Sequence, residues 1–199
     1  MAGCCQTSFR QRPKAWGGLN TPLARPRNPW FTSLMQFKVN NLGCLHEWDQ
    51  EKVKFALKGL HRITALQEHD DLWLSANLTE TNDLTSLQVL NRLKGGDQLS
   101  IGDELNTLDF NLVLYRKSFS KVVGYTFTDS LTIWVNRKFF GGPKGIASNL
   151  FHEATHQLGF LHNANWATTV PYTANRIVEA LWDKHCKDID AEYLAWWNS

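Results

Sequence analysis

The sequence lacks a strong charge of either sign and any long run of apolar residues. Its 21 Lys and Arg residues nearly balance 19 Asp and Glu residues, and the basic residues are scattered along the chain. We therefore expect no nucleic-acid partner, because such partners require a clustered basic surface. No apolar run reaches the roughly 20 residues needed to cross a bilayer, so we also expect no transmembrane segment.

Cysteine and methionine are also scarce, with four residues of the first type and two of the second. Cys44 and Cys186 are far apart, and neither belongs to a C-x-x-C pair of the kind that binds metal. They can form one disulfide in an oxidising compartment or remain buried thiols, and the sequence leaves both alternatives open. The methionines are Met1 and Met35, so none stands in the C-terminal half of the chain.

Residues 1–30 differ in composition from the rest of the chain. They hold four of the six prolines and four arginines: Pro13, Pro22, Pro26, Pro29, Arg10, Arg12, Arg25 and Arg27. This composition predicts an extended, poorly ordered tail over residues 1–30. The remaining residues, 31–199, are enough for one domain with its own core, and we expect that domain to be a monomer.

The first four residues, Met1-Ala2-Gly3-Cys4, look like the end of a bacterial lipoprotein signal. In such a signal a small-residue pair precedes the lipidated cysteine, but the charged and apolar regions that should come first are missing here. The match is either chance or the sign of a misassigned start. In the second case Cys4 would carry the lipid, and a secreted or cell-envelope location would be favoured.

Hydrophobic periodicity predicts strands and helices that do not alternate regularly, which is typical of an α+β fold. The predicted strands are 34–39, 72–76, 110–115, 121–127 and 131–136, and the predicted helices are 49–66, 83–93, 144–158 and 174–185. Asp49 and Asp83 are candidate caps for the first two helices, and Gly95-Gly96 would end the second. Only three residues separate strands 121–127 and 131–136, so we expect them to form a hairpin.

The segment from His152 to His162 carries the strongest chemical signal. On a helix, residues four apart lie on one face, so His152 and His156 can share a metal ion, and Glu153 can reach a water beside it. Gly159 allows a sharp turn after the helix, which lets His162 return as a third ligand. Three imidazoles with an open fourth position describe a catalytic zinc site rather than a closed structural one.

The other side of the same predicted helix is apolar. Ile146, Leu150, Ala154 and Leu158 recur at intervals of four residues, so this stripe should anchor the helix in the core. The four remaining histidines are interpreted as surface or capping residues: His46, His61, His69 and His185.

The pattern H-E-x-x-H-x-x-G-x-x-H resembles the signature of the metzincin clan of zinc peptidases. This resemblance implies one catalytic Zn²⁺ ion held by His152, His156 and His162, and it implies that Glu153 is the general base. It also implies a mixed twisted sheet with an active-site helix and a C-terminal helix around a zinc cleft. The expected activity is hydrolysis of peptide bonds in a peptide or protein substrate by a zinc-activated water, with the substrate extended along the strand 121–127.

The chain departs from the clan at the turn that follows the third histidine. Metzincins carry a Met there, whereas Val170 stands at the position where matrixins place it, and could still form an apolar floor. In the alignment with astacins and serralysins, Tyr172 matches a Tyr that can ligate zinc or stabilise the oxyanion. The alternative interpretation is a Tyr that only packs in the turn. Asn163, directly after the third histidine, matches none of the familiar subfamilies.

Two other functions remain open at this point. The chain could be a non-catalytic, zinc-containing binding module that uses some of its nine Trp residues to hold a polymer or partner. It could also be a zinc amidase that acts on a non-peptide amide. Glu153 speaks against the first alternative, because a purely structural zinc has no use for a base.

Overall fold

The computed structural model describes residues 34–96, 98, 106–162 and 166–199, except for the side chain of Trp166. Residues Leu34–Ser199 form one compact unit. The predicted tail, residues 1–30, lies outside the described residues and stays a prediction. No helix in the described ranges is long and apolar enough to cross a membrane.

The four strands of the described chain form one mixed sheet. They are β1 (Gln36–Val39), β2 (Thr107–Tyr115), β3 (Gly124–Thr126) and β4 (Thr132–Asn136), in the order β1-β2-β4-β3. Strands β1, β2 and β4 are parallel to one another, and β3 at the edge pairs antiparallel with β4. The predicted hairpin is therefore confirmed, although its first strand is shorter than the range 121–127.

The described ranges hold six α-helices in addition to the sheet. They are α1 (Glu47–Thr64), α2 (Gln67–Ser75), α3 (Ser86–Gly95), α4 (Pro143–Gln157), α5 (Val170–His185) and α6 (Lys187–Trp197). The protein is thus a mixed α/β structure with a small sheet, as its periodicity indicated.

The core lies where α1 and α5 pack against α4. The predicted apolar stripe of α4 is fully or almost fully buried: Ile146, Leu150, Ala154 and, just after the helix, Leu158. Each large apolar side chain buried in this way contributes about 1.5–3 kcal/mol. Gly59 of α1 faces the ring of Trp182 in α5, and a Cβ there would come within 2.0 Å of the ring. The stripe and this glycine together fix α4 in position.

The predicted strand 72–76 is wrong, because this segment belongs to α2. Trp73 is completely buried, and its Nε1 donates a hydrogen bond to Nε2 of His69, four residues earlier. A contact at that spacing requires a helix, since a strand brings residues two apart to the same face. The run of apolar residues was too short to distinguish the periodicity of a helix from that of a strand.

The ends of the first and third helices also differ from the prediction. His46, not Asp49, precedes α1, and Asp49 lies within its first turn. Thr85, not Asp83, caps α3, through a reciprocal capping box with Gln88. The predicted end of α3 is confirmed, because Gly96 adopts a left-handed conformation with φ of 70°.

The C-terminal part contains more helix than the sequence predicted. Helix α5 begins at Val170 instead of residue 174, and α6 follows it after the single residue Cys186. Aromatic side chains of α6 pack on α1, with the rings of Trp48 and Trp196 5.1 Å apart. Cys186 is buried and Cys44 is exposed, and the two are not bonded to each other.

Candidate metal centre

Two imidazoles of the candidate centre come from α4. His152 and His156 lie one turn apart on the same face, and their ring centroids are 5.1 Å apart. The helix ends at Gln157, and Gly159 then takes a φ of 87°, a conformation that favours glycine. This turn reverses the chain directly after the two ligands.

The reversed chain brings the third imidazole back to the first two. The ring of His162 lies 5.3 Å from that of His152 and 4.9 Å from that of His156. One nitrogen from each histidine lies within 4.8 Å of the other two. In a tetrahedral zinc site with Zn–N bonds of about 2.0–2.1 Å, the nitrogens are about 3.3 Å apart. The three nitrogens therefore lie close enough together to bind one metal ion.

A hydrogen bond from the turn fixes the orientation of His156. Its Nδ1 lies 2.6 Å from the backbone carbonyl oxygen of Phe160, which is buried. Because a carbonyl can only accept, this contact selects the tautomer with hydrogen on Nδ1 and leaves Nε2 as a lone-pair donor. Metal-binding histidines use such a bond to set both tautomer and ring direction.

Burial favours the neutral form of His152 and His156, which metal binding requires. Burial, reinforced by repulsion from His156 and His162, lowers the pKa of His152 to about 3. The buried Nδ1 of His152 makes no hydrogen bond of normal geometry within the described chain, although the nearby carbonyl of Pro171 weakly favours a proton on the ring. Burial also lowers the pKa of His156, against the bond to Phe160.

Glu153 lies between the helix and the edge strand β3. The residue is 3% exposed, and its burial raises the pKa of the carboxyl group to about 8. Its Oε2 is buried and has no hydrogen-bond partner among the described residues. A buried carboxylate needs a donor or a nearby cation to remain charged.

The ring of Tyr172 completes the cluster from the first turn of α5. Its centroid lies 4.9 Å from the ring of His152 and 5.0 Å from that of His162, in edge-to-face contacts. Val170 and Pro171 precede it at the start of the helix, and both are buried. Val170 is therefore part of the core.

Residues 79–82, which no sequence pattern singled out, support the turn after α4 and the segment directly before α5. Nδ2 of Asn82 donates to the carbonyl oxygen of Gly159, at 3.0 Å. The backbone of Thr79 pairs with Thr169, directly before α5, and its N–H donates to the carbonyl of Thr168. Asn82 has a positive φ, and Asn tolerates this conformation better than most residues. The presence of Asn at this position was the only feature of the sequence that indicated such a conformation.

The structure thus brings the five predicted site residues to the end of α4 and the start of α5: His152, Glu153, His156, His162 and Tyr172. The prediction for the other histidines is wrong for His69, which is completely buried between Asp70 and Trp73. His46 is exposed, while His61 bonds the backbone of Phe37. His185 pairs with a carboxylate of α2.

Comparisons with known proteins gave no relative from which a function could be transferred. No family model matches the chain, and neither a curated protein nor a solved structure matches it. The functional argument therefore depends on the site itself. Three imidazoles within ligand reach of one another, one of them oriented by a carbonyl, form a donor set that fits a zinc ion with one open position.

Proposed function

We propose that the protein is a zinc-dependent endopeptidase with a metzincin-like fold, in which Val170 replaces the Met of the turn. One observation carries the proposal: His152, His156 and His162 lie close enough together to bind one metal ion, and Glu153, the residue next to His152 in α4, has a buried carboxyl group. A structural site would have no use for that carboxyl group, and a site closed by four protein ligands would leave no position for a substrate.

A zinc ion held by the three histidines would supply the Lewis acidity that makes a water reactive near neutral pH. Glu153 would accept the proton of the attacking water and then pass it to the leaving amine. The positive charge of a zinc ion bound by the histidines would favour the ionised form of the Glu153 carboxyl group, whereas burial alone disfavours that form. Glu153 therefore depends on the metal for its role as a base.

Tyr172 would act on the oxygen of the scissile carbonyl. Its ring contacts those of His152 and His162, which places the side chain at the proposed site. A phenol there can donate a hydrogen bond to the oxygen as negative charge develops on it. The helix α5 and the rigid Pro171 hold the ring in one direction.

The substrate would lie extended beside β3. Among the described strands, β3 pairs with β4 only, so its outer edge remains open to an added strand. Gly124 of this strand also lies against the side chain of Glu153. Backbone pairing at this edge would bring the scissile bond to the metal and would place little demand on substrate sequence.

The proposal is tested by measuring zinc content and peptide hydrolysis together. The purified protein should hold about one zinc per chain and cleave members of a peptide library at internal bonds. A chelator should abolish cleavage, and added zinc should restore it. Glu153→Gln serves as the matched variant, because it keeps shape and hydrogen bonding but cannot accept a proton.

The possible outcomes separate the alternatives. A protein that binds zinc but shows no hydrolysis would favour a binding module, provided that the Glu153→Gln variant binds its ligand as well as the parent does. Hydrolysis confined to non-peptide amides would favour an amidase. Cleavage that persists in the zinc-free protein would refute zinc catalysis altogether.

A further inference from the structure

Asn149 lies on α4 exactly one turn before Glu153. Residues four apart share a helix face, so the amide and the carboxyl group point toward the same neighbour. That neighbour is β3, whose Gly124 approaches both side chains. The sequence pattern had no reason to single out Asn149, because it precedes the H-E-x-x-H run.

Gly124 shows how closely the two polar groups share one space. A Cβ at this position would lie 2.6 Å from Nδ2 of Asn149 and 3.1 Å from Oε1 of Glu153. Both groups are therefore within about one hydrogen-bond length of a single point beside the strand. Any side chain at residue 124 would push the amide and the carboxyl group away from that point.

The hydrogen-bonding needs of the two groups are complementary. Nδ2 of Asn149 is a buried donor, and Oε2 of Glu153 is a buried acceptor, and neither has a partner within the described ranges. A buried polar group without a partner costs about 1–3 kcal/mol, and more if it is charged. A rotation of the Glu153 carboxyl group that brings Oε2 to the side of Asn149, where Oε1 lies, would join the two groups and remove both costs together.

We infer that Asn149 is a positioning residue whose amide donates to the Glu153 carboxylate and holds one of its oxygens toward the three imidazoles. The inference rests on the proposed function, because it assigns Asn149 a task in the reaction carried out by Glu153. A neutral amide suits this task, since it stabilises the charged carboxylate without adding a second charge beside the metal ligands. Gly124 contributes by leaving the space in which the two side chains meet.

The kinetic test uses Asn149→Leu and Asn149→Asp. Leucine keeps the approximate volume without a donor, and aspartate keeps the shape but offers only acceptors. Loss of a hydrogen bond to a charged group typically costs about 1.5–3 kcal/mol. We therefore expect kcat to fall about tenfold to a hundredfold in both variants, with KM and zinc content nearly unchanged.

A double-mutant cycle distinguishes positioning from simple packing. If Asn149 acts through Glu153, Asn149→Leu should cause little further loss of the residual rate in a Glu153→Ala background. Equal losses in both backgrounds would overturn the inference, as would a change confined to KM. A loss of zinc in either Asn149 variant would also contradict it.

A readout independent of activity keeps the inference separate from the proposed function. In ¹⁵N-labelled protein, the side-chain amide resonances of Asn149 can be assigned by their loss in Asn149→Asp. These resonances should shift in the Glu153→Ala variant, with and without zinc. Unchanged resonances would overturn the inference even in an active enzyme, whereas shifted resonances in a protein without hydrolysis would refute only the proposed function.

Discussion

The Nδ1 atom of His156 lies 2.6 Å from the backbone carbonyl oxygen of Phe160, across the turn that ends α4. The same turn carries His162 back toward the helix, so one local structure orients His156 and also brings His162 close to it. Asn82 holds this turn from outside, through its bond to the carbonyl of Gly159. The arrangement of the three histidines is thus determined by the fold itself.

Replacing His156 by Ala should remove the bound zinc. The change deletes one of three ligands and also the bond that ties α4 to the turn, so a moderate loss of thermal stability should accompany it. Metal analysis and thermal unfolding measure the two effects. His46→Ala is the matched control, because His46 is exposed. Zinc binding as tight as in the parent would show that the ligand assignment is wrong.

Substitutions of Val170 test its place in the core. Its side chain is 0% exposed, so Val170→Asp should lower the free energy of unfolding by on the order of 3 kcal/mol, since it buries a charge without a partner. Val170→Met should cost less, because methionine is apolar and adaptable, although it is longer. Denaturant unfolding measures both. Equal stability of the Asp variant and the parent would contradict the burial of this position.

The buried His69 should make the stability of the fold sensitive to acid. Burial lowers the pKa of its imidazole below 6.5, although the bond to Asp70 opposes this shift and Lys94 adds to it. Below pH 6.5 the unfolded chain binds a proton that the folded chain excludes. The contribution of His69 to stability is therefore fully present above pH 6.5 and is lost as the pH falls below it, at up to about 1.4 kcal/mol per pH unit.

The measurement is the unfolding free energy of zinc-free protein between pH 5 and 7. His69→Gln should flatten the pH dependence relative to the parent, because an amide does not titrate in this range. Other histidines contribute equally to both proteins, so the difference isolates His69. A slope identical in His69→Gln and the parent would show that His69 accepts its proton freely in the folded state.

The clustering of the three histidines could be predicted from the sequence because its determinants are local. The spacing of His152 and His156 on a helix and the conformational freedom of Gly159 need no distant residue to be understood. Asn149 and Gly124 could not be predicted in this way, because their relation depends on how β3 packs against α4. The prediction of a strand over residues 72–76 was wrong for a similar reason. The contact between Trp73 and His69 identifies the helix, and a short apolar run in the sequence does not reveal that contact.

Tyr172→Phe tests the role of the hydroxyl group at the site. The ring contacts with His152 and His162 should survive the change, because only the hydroxyl is removed. If that hydroxyl binds the substrate oxygen mainly in the transition state, kcat should fall about a hundredfold or somewhat more, with little change in KM. Zinc affinity should decrease only slightly. Steady-state kinetics on one cleaved peptide, with metal analysis, measures all three, and Tyr193→Phe on α6 controls for the loss of a phenol elsewhere. A variant with the kcat of the parent would leave Tyr172 a packing residue, because the ring alone would then account for its place between the two histidines.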